Sequence, residues 1–214
     1  MARIAFFDLE GTLVKGQAAW IKVRDKFGVA KEVDQEYQKL YDEGKIGFEE
    51  WRRKLAEIWR AGKVRLEDFK EILKDYELVE GARELIDGLR KKGFKIAIIT
   101  GAISLFADMV GKDLGVNSVF SAHEFVFDEE GYFKDIIDVE FYRRGEGKVK
   151  VMEDFAAIYK ADLKDCIAVG GDDINDYWML KTVTSFAVKP RLPQIKEVID
   201  YEVDKLTDVL KFIK

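Results

Sequence analysis

Carboxylate side chains follow two short apolar runs of the sequence. Asp8 and Glu10 come directly after the run at 4–7, and Asp172 comes soon after the run at 166–169. Runs of this length are typical of buried strands, and open α/β sheets bind ligands in the crevice beyond the carboxyl ends of their strands. Carboxylates that converge there repel one another, and their oxygens suit a magnesium ion. Because magnesium commonly binds substrate phosphate as well, the pattern favours phosphoryl chemistry.

Groups that donate hydrogen bonds complete this set. Thr100 and Gly101 end a further apolar run, and Lys148 stands at the start of a helical pattern. The Thr100 hydroxyl, the Gly101 backbone N–H and the Lys148 ammonium are suited to hold the oxygens of a phosphoryl group in transfer. The side chains expected in one crevice are Asp8, Glu10, Thr100, Asp172, Asp173 and Asp176.

Composition limits the class of protein in which this chemistry occurs. The chain has 214 residues, 48% of them hydrophobic, and its net charge of -5 is spread along the sequence without charged blocks. This length allows one full core and a small second lobe, and the charge pattern contains no nucleic-acid-binding arm. One cysteine, Cys166, and one histidine, His123, exclude an intrachain disulfide and an ordinary Cys/His zinc site. We expect Cys166 to be a buried, unreactive residue.

The sequence also bears on the compartment. No stretch approaches the run of about 18 uncharged apolar residues that a membrane-spanning helix needs. The N-terminus reaches Arg3 and Asp8 too early for a signal peptide. We therefore expect a cytoplasmic protein.

Apolar runs alternate with helical patterns along most of the chain. Buried strands are predicted at 4–7, 94–99, 166–169 and 185–188. Amphipathic helices are predicted at 80–92 and 149–160. This alternation predicts an α/β fold, a Rossmann-like doubly wound parallel sheet with helices on both faces.

Two segments depart from the alternation. Residues 14–79 carry helical patterns without a convincing buried strand, and aromatic residues such as Trp20 and Phe27 recur at a spacing typical of core packing. We therefore predict a small helical lobe inserted after the first strand. Residues 119–127 and 132–141 flank a turn and predict an antiparallel hairpin.

Taken in order, the polar residues resemble the four motifs of the haloacid dehalogenase superfamily. The segment 7–13 resembles the first motif, Asp-x-Asp-x-Thr, and 99–101 resembles the second. Lys148 resembles the third motif and 171–176 the fourth, so that the likeness spans the whole chain. The predicted helical lobe is similar to the cap that this family inserts between its first two motifs.

Within the superfamily, the chain looks most like the phosphoserine phosphatase branch. The hairpin before Lys148 and the stretch at 44–50 support that branch. The resemblance implies a Rossmann-like core domain of residues 1–13 and 80–214, with a helical cap domain at 14–79.

The resemblance also implies roles for the polar residues. Asp8 would attack phosphorus and form an aspartyl phosphate, and Glu10 would serve as general acid and base. Mg²⁺ would be held by a carboxylate oxygen of Asp8, the backbone carbonyl of Glu10 and Asp172. Asp173 and Asp176 would support this centre, with Asp176 orienting Lys148 or a metal-bound water. The residues implied to bind phosphate are Thr100, Gly101, Lys148 and Asn175.

Two residues depart from the family pattern. Glu10 stands where the family's phosphatases normally carry Asp, and the extra methylene shifts the carboxylate. Gln17 stands near the point where phosphoserine phosphatases carry a Glu that holds the substrate ammonium, so the charge pairing there is weakened. Arg53 matches the cap arginine that holds the substrate carboxylate.

Three functions follow from these patterns. The leading one is a magnesium-dependent phosphatase that acts on a small phosphometabolite. The second is a phosphotransferase of the same superfamily, in which an alcohol replaces water. The third is a phosphate-binding protein that Glu10 has weakened as a catalyst. The expected partner is a small-molecule phosphomonoester, with neither nucleic acid nor membrane, and the chain would be a monomer or homodimer.

Overall fold

A seven-stranded sheet forms the centre of the molecule. The computed structural model describes residues 2–16, 19–27, 35–37, 39–40, 43–139 and 146–213. The strands are β1 (Arg3–Phe7), β2 (Phe94–Ile103), β3 (Val119–Phe127), β4 (Phe133–Asp138), β5 (Ile167–Val169), β6 (Thr184–Val188) and β7 (Tyr201–Val203). Their order is β4-β3-β2-β1-β5-β6-β7, and every neighbouring pair is parallel except β3 and β4. The predicted α/β class and the predicted hairpin are confirmed.

Helices lie along the chain between the strands. They are α1 (Ala19–Lys26), α2 (Phe48–Ala61), α3 (Leu66–Leu73), α4 (Ala82–Lys91), α5 (Ser104–Asp113), α6 (Glu146–Ile158), α7 (Tyr177–Thr182), α8 (Pro193–Lys196) and α9 (Val209–Phe212). Both predicted amphipathic helices are present, as α4 and α6. Helices α5, α7, α8 and α9 and strand β7 were not predicted. Within the described ranges, no helix has the length and apolar character that crossing a membrane requires.

Strand β1 explains why both faces of the sheet are covered. Successive side chains of a strand point to opposite faces, and β1 is apolar at almost every position. Ala5 and Phe7 belong to one buried cluster, whereas Ile4 and Phe6 belong to another. The chain therefore builds a core on each face, and Cys166 is buried in the second, as predicted.

The order of the strands creates a crevice beside β1. Chain direction leads from β1 through β2 to β3 on one side, and then returns to β5 on the other. Phe7, the last residue of β1, pairs with Ile98 of β2 and Val169 of β5. Segments leaving β1 and β5 therefore diverge at adjacent carboxyl ends, where ligands bind in such sheets.

One strand boundary differs from its prediction. Thr100 and Gly101 were expected to end the second strand, but β2 continues to Ile103. It continues because β3 pairs with it, with Thr100 opposite Ser121 and Ile103 opposite His123, and the register shifts between these two pairs. Gly101 therefore lies at an irregularity within the strand.

The described part of residues 14–79 forms helices α1, α2 and α3 and adds no strand to the seven-stranded sheet. Trp59 of α2 lies 5.5 Å from the Phe69 ring of α3, 5.5 Å from the Phe125 ring and 5.4 Å from the Phe133 ring. The last two rings belong to the β3–β4 hairpin. This aromatic cluster, Trp59, Phe69, Phe125 and Phe133, therefore joins the helical segment to the edge of the sheet.

We expect Trp59→Ala to lower the free energy of unfolding by about 3–5 kcal/mol, because it leaves a large cavity in the aromatic cluster. The matched control is Trp178→Ala, since Trp178 is 40% exposed and its loss should change stability by about 0.5 kcal/mol. Urea titrations followed by circular dichroism measure both values. Equal losses in the two variants would contradict the packing described.

Candidate active site

Asp8 occupies the first position after β1. Its backbone N–H donates to the carbonyl of Val169 at 3.0 Å, which extends the pairing of β1 with β5 by one residue. The Leu9 carbonyl then accepts from the N–H groups of Leu13 at 2.8 Å and Val14 at 2.9 Å, so the chain turns tightly. Asp8 is only 6% exposed. Its carboxylate is therefore held at the floor of the crevice.

A buried ion-pair chain connects Asp8 to the fourth motif. Lys148 Nζ, at the start of α6, donates to Asp8 Oδ1 at 2.8 Å and to Asp176 Oδ1 at 2.6 Å. Asp176 Oδ2 accepts from the Gly171 N–H at 2.7 Å. Lys148 is 4% exposed and Asp176 is fully buried. The structure thus brings together three predicted side chains, of which Asp8 and Lys148 are 140 residues apart in the sequence.

Two carboxylates share one lysine in this chain, which leaves an excess negative charge. Burial, and then the charge of Asp176, raise the pKa of Asp8 to about 7, although Lys148 acts in the opposite direction. Burial lowers the pKa of Lys148, but Asp176 and Asp8 outweigh it and hold that pKa above its ordinary value. Lys148 is therefore charged at neutral pH, and the excess negative charge appears as the raised pKa of Asp8.

Asp172 lies against the turn that follows Asp8. Gly11 in that turn has φ +76°, and a Cβ there would lie 2.2 Å from the Asp172 carboxyl group. Both the positive φ and the close approach of Asp172 require glycine at position 11. The pKa of Asp172 is raised by partial burial and by the charges of Asp173 and Asp176, with Arg191 opposing them. Asp172 thus adds further negative charge beside the turn that follows Asp8.

The donor set fits a hard cation. Within the described ranges, no group of three His, Cys, Asp or Glu residues is arranged to hold a metal ion by side chains alone. Magnesium, however, usually takes one or two carboxylates and completes its shell with other oxygens. Asp8 and Asp172, both with raised pKa values, together with the Glu10 backbone carbonyl, match that requirement.

Thr100 and Gly101 lie on β2, next to β1. Thr100 is 1% exposed, and its Oγ1 accepts the Ala102 N–H at 3.0 Å. Because that oxygen is the acceptor, its own O–H is available to donate. Gly101 is exposed at the irregularity of β2.

These residues surround a cavity of about 270 Å³. Its lining consists of Asp8, Glu10, Trp20, Ile21, Arg24, Thr100, Gly101, Lys148, Asp173 and Asn175. Asp173 and Asn175 belong to the loop after β5, where Asp173 Oδ1 accepts the Asn175 N–H at 2.8 Å. Seven of the predicted site residues therefore share one cavity.

The remaining predicted residues lie elsewhere. Asp172 lines an adjacent cavity together with Gly11. Asp176 is buried beyond Lys148 and supports it. Arg53 is exposed on α2 and does not line the cavity, so its role stays a prediction. Gln17 lies outside the described residues.

Three residues of α1 line the cavity but were not predicted as site residues. They are Trp20, Ile21 and Arg24. Sequence analysis assigned Trp20 to a core-facing stripe with Phe27, and it is indeed partly buried against the core. One sequence feature could have indicated a cavity-facing side of α1. Ile21 and Arg24 lie one helical turn apart and outside the core-facing stripe.

Glu10 connects α1 to the turn that carries Asp8. Its Oε1 accepts the N–H of Ala19, the first residue of α1, at 2.9 Å. The first N–H groups of a helix have no partner inside the helix, and a carboxylate is favourable there. The Glu10 carboxylate therefore ties the start of α1 to the turn after Asp8.

Comparison with known proteins identifies the family of this chain. Residues 2–184 match the family model described as haloacid dehalogenase-like hydrolase. A phosphoserine phosphatase of Methanocaldococcus jannaschii is 29% identical over 99% of this chain and 98% of its own length. A phosphoserine phosphatase of Lactococcus lactis is 27% identical over 96% of this chain and 93% of its own.

Solved structures give the same result. A substrate-bound phosphoserine phosphatase complex is 26% identical, with a TM-score of 0.78, over 100% of this chain and 99% of that one. A phospho-aspartyl intermediate analogue of phosphoserine phosphatase is 26% identical over the same shares of the two chains, with a TM-score of 0.77. The chain therefore belongs to the haloacid dehalogenase-like hydrolases, as a phosphomonoester hydrolase similar to phosphoserine phosphatases.

Proposed function

We propose that this chain hydrolyses a small phosphomonoester in two steps, with Asp8 as nucleophile and Mg²⁺ as cofactor. The observation that carries the proposal is the buried pairing of Asp8 with Lys148 at the floor of the cavity, at 2.8 Å. A lysine that fixes one oxygen of a carboxylate orients the group for attack.

In the first step, an Asp8 carboxylate oxygen bonds to phosphorus while the bond to the ester oxygen breaks. Lys148 has three N–H groups, and two of them are given to Asp8 and Asp176. Its third N–H, the Thr100 hydroxyl and the Gly101 N–H would hold the phosphoryl oxygens, with Asn175 beside them. The Glu10 carboxyl group would give its proton to the departing alkoxide.

In the second step, water attacks the phosphorus of the aspartyl phosphate. Glu10, now a carboxylate, takes a proton from that water, and the bond between phosphorus and the Asp8 oxygen breaks. Inorganic phosphate leaves, and the Asp8 carboxylate is restored. One residue thus acts first as acid and then as base, because the two steps are chemically reversed at the same position.

Mg²⁺ would be held by Asp8, Asp172 and the Glu10 backbone carbonyl. When bound, it would offset the negative charge of these carboxylates and of the phosphoryl group. Asp173 and Asp176 would act in support, Asp176 through its bond to Lys148. The excess negative charge of the site supports this assignment.

Residues 14–79 would form a cap over the cavity, since α1 already supplies part of its lining. The substrate is proposed to be a small polar or anionic phosphometabolite. Relatives are named phosphoserine phosphatases, but Gln17 cannot supply the negative charge that an ammonium group needs. We therefore propose that phosphoserine is a poor substrate. The cytoplasmic location and the choice between monomer and homodimer stay predictions.

Removing the nucleophile or the metal should stop turnover. We expect Asp8→Asn to lower phosphate release by about a thousandfold or more, because no bond to phosphorus forms. EDTA should abolish the activity of the parent protein, and Asp172→Asn should raise the magnesium concentration needed. Phosphate release from a panel of phosphometabolites measures these effects, with Glu129→Gln, an exposed carboxylate in the β3–β4 turn, as control. Robust activity in EDTA would contradict the mechanism.

The raised pKa of Asp8 predicts a pH-dependent stability of the metal-free protein. Its value rises from 3.8 to about 7 on folding, so between these values the folded state binds more protons than the unfolded state. Stability should therefore fall as the pH rises across this window, and level off above it. The Asp8→Asn variant should not lose stability across this window, because its side-chain amide is neutral at every pH. The amide oxygen can still accept a hydrogen bond from Lys148.

We expect Asp8→Asn to melt several degrees above the parent protein at pH 8 in EDTA, at roughly 2–4 °C for each kcal/mol. The difference should shrink towards pH 4. Calorimetric scans at both pH values measure it, with Glu129→Gln as the control. A parent protein that is the more stable of the two at pH 8 would show that Asp8 is stabilised as a carboxylate.

Glu10 offers a separate test, because its proposed chemistry and its contact with Ala19 respond to different substitutions. Glu10→Gln keeps the length and an acceptor oxygen but removes the proton transfer, so we expect kcat to fall by about 10²–10⁴-fold. Glu10→Asp keeps the carboxylate, and we expect it to preserve or raise kcat. Steady-state kinetics compare the two. An inactive aspartate variant beside an active glutamine variant would mean that Glu10 acts only by positioning α1.

A further inference from the structure

We propose that a second cavity, adjacent to the one that Asp8 lines, binds a small tetrahedral oxyanion of the phosphate or sulfate type. Its volume is about 390 Å³, and most of its described lining comes from the segments 11–16, 169–172 and 188–191. Arg191 and Thr12 are the residues to which we assign the anion. Neither Asp8 nor Lys148 is part of this lining, so the anion site does not rest on the proposed reaction.

The second cavity lies beyond the carboxyl ends of three adjacent strands. β1 ends at Phe7, ahead of the turn that contains Thr12, while β5 ends at Val169 and β6 at Val188. The three strands are neighbours in the order β1-β5-β6 and run parallel. Ligands of open α/β sheets bind at this edge, so the second cavity has the position of a binding site as well as a suitable size.

The charge of the second cavity favours an anion. Among the described residues of its lining, Lys15, Lys189 and Arg191 are cations, and Asp172 is the single carboxylate. The described lining of the other cavity has the opposite balance, with three carboxylates and two cations. Because the chain as a whole has a net charge of -5, the positive excess in the second cavity is local.

Arg191 has its charge and its donors available. It is exposed, and among the residues that the structure describes, none forms a hydrogen bond or an ion pair with its guanidinium. Its charge acts at longer range on Asp172, where it counters the raised pKa. The planar N–H groups of arginine match the oxygens of phosphate and sulfate. An oxyanion in the second cavity would therefore give Arg191 the partner that the described part of the chain does not.

Thr12 supplies an uncharged donor from another wall. It is only 7% exposed and lines the second cavity, and its hydroxyl forms no hydrogen bond with any described residue. A largely buried hydroxyl without a partner costs free energy, which a bound oxyanion would recover by accepting from it. Thr12 thus indicates independently of charge that the second cavity takes a hydrogen-bond acceptor.

Two lysines extend the positive charge at the solvent side. Lys15 pairs with Glu77, and Lys189 Nζ lies 3.6 Å from Asp204 Oδ1, with all four side chains at least 53% exposed. Ion pairs this exposed contribute little free energy. The backbone of Lys189 has φ +46°, which is uncommon for a residue with a Cβ and often accompanies ligand sites. The lysines therefore add attraction, and neither has to leave its partner for the anion to bind.

An anion in the second cavity would also affect the metal site. Asp172 lines this cavity and is a proposed ligand of Mg²⁺. The positive charge of Arg191 opposes a cation at Asp172, and a bound anion would offset that charge. The anion would therefore favour Mg²⁺ binding, and by linkage Mg²⁺ would favour the anion by the same factor. This consequence rests on the proposed function.

Calorimetric titration of sulfate into the metal-free protein tests the anion site. In EDTA at pH 8, the excess negative charge around Asp8 disfavours sulfate there. We expect saturable binding to the parent protein at an ionic strength held constant with chloride. Arg191→Gln should weaken it by about 10- to 100-fold, because charge-assisted hydrogen bonds are lost, and Thr12→Val by about three- to tenfold. Arg60→Gln, which removes the same charge from the exposed end of α2, is the matched control and should bind as the parent does.

Thr100→Val tests whether sulfate binds beside Asp8 instead. Binding that is lost in Thr100→Val and unchanged in Arg191→Gln would overturn the assignment, as would the absence of saturable binding to the parent protein. A parallel titration with ethyl phosphate separates a free oxyanion from the phosphate group of a larger molecule. Weaker binding of the ester than of sulfate assigns the site to free oxyanions, and equal binding assigns it to phosphate groups in general.

Magnesium titrations in sulfate and in chloride test the coupling. We expect sulfate to lower the Kd for Mg²⁺ by about fivefold or more in the parent protein, and by clearly less in Arg191→Gln. An equal effect of sulfate in both proteins would overturn the coupling. A chain that binds no Mg²⁺ at all would contradict the proposed function, while the sulfate titration in EDTA would still decide the anion site.

Discussion

The candidate active site depends on the buried ion-pair chain in which Lys148 bridges Asp8 and Asp176. Loss of the Lys148 ammonium should cost about 3–5 kcal/mol, because two carboxylates would stay buried without their shared partner. The three side chains come from the end of β1, the start of α6 and the segment after β5. The sheet must therefore place β5 beside β1, and α6 must begin at their carboxyl ends. The Gly171 backbone N–H donates a hydrogen bond to the second carboxylate oxygen of Asp176.

The ion-pair chain has an electrostatic cost, because its negative charge exceeds its positive charge. Two carboxylates against one lysine, with Asp172 beside the same turn, leave the site short of positive charge. The neighbouring carboxylates contribute to the raised pKa values of both Asp8 and Asp172. A cation bound there would be held by the same charge that weakens the metal-free protein. Gly11 makes the close approach possible, because any Cβ at its position would overlap the Asp172 carboxyl group.

Helix α1 links the sheet to the helical segment. Its first N–H is bound by Glu10, its Trp20 ring packs 5.7 Å from Phe125 of the hairpin, and its Arg24 rests on Trp51 of α2. The Glu10 carboxylate thus connects the helical segment to the turn after Asp8, in addition to the backbone hydrogen bonds that join Lys15 to Glu77 and Val79 to Leu13. Glu10 therefore has a structural contact with α1 beside its proposed role in proton transfer.

The sequence by itself determined the α/β class, the hairpin and seven of the ten residues of the cavity lining, because apolar runs of strand length end in polar residues of the right type. It did not determine the three-residue strand β7, where two of three side chains are exposed and no apolar pattern arises. Nor did it show that β2 continues to Ile103, since pairing with β3 decides that. Only the tertiary structure placed Arg24 in the cavity and Arg53 outside it, because helical periodicity orients a side chain on its own helix but does not position that helix against the sheet.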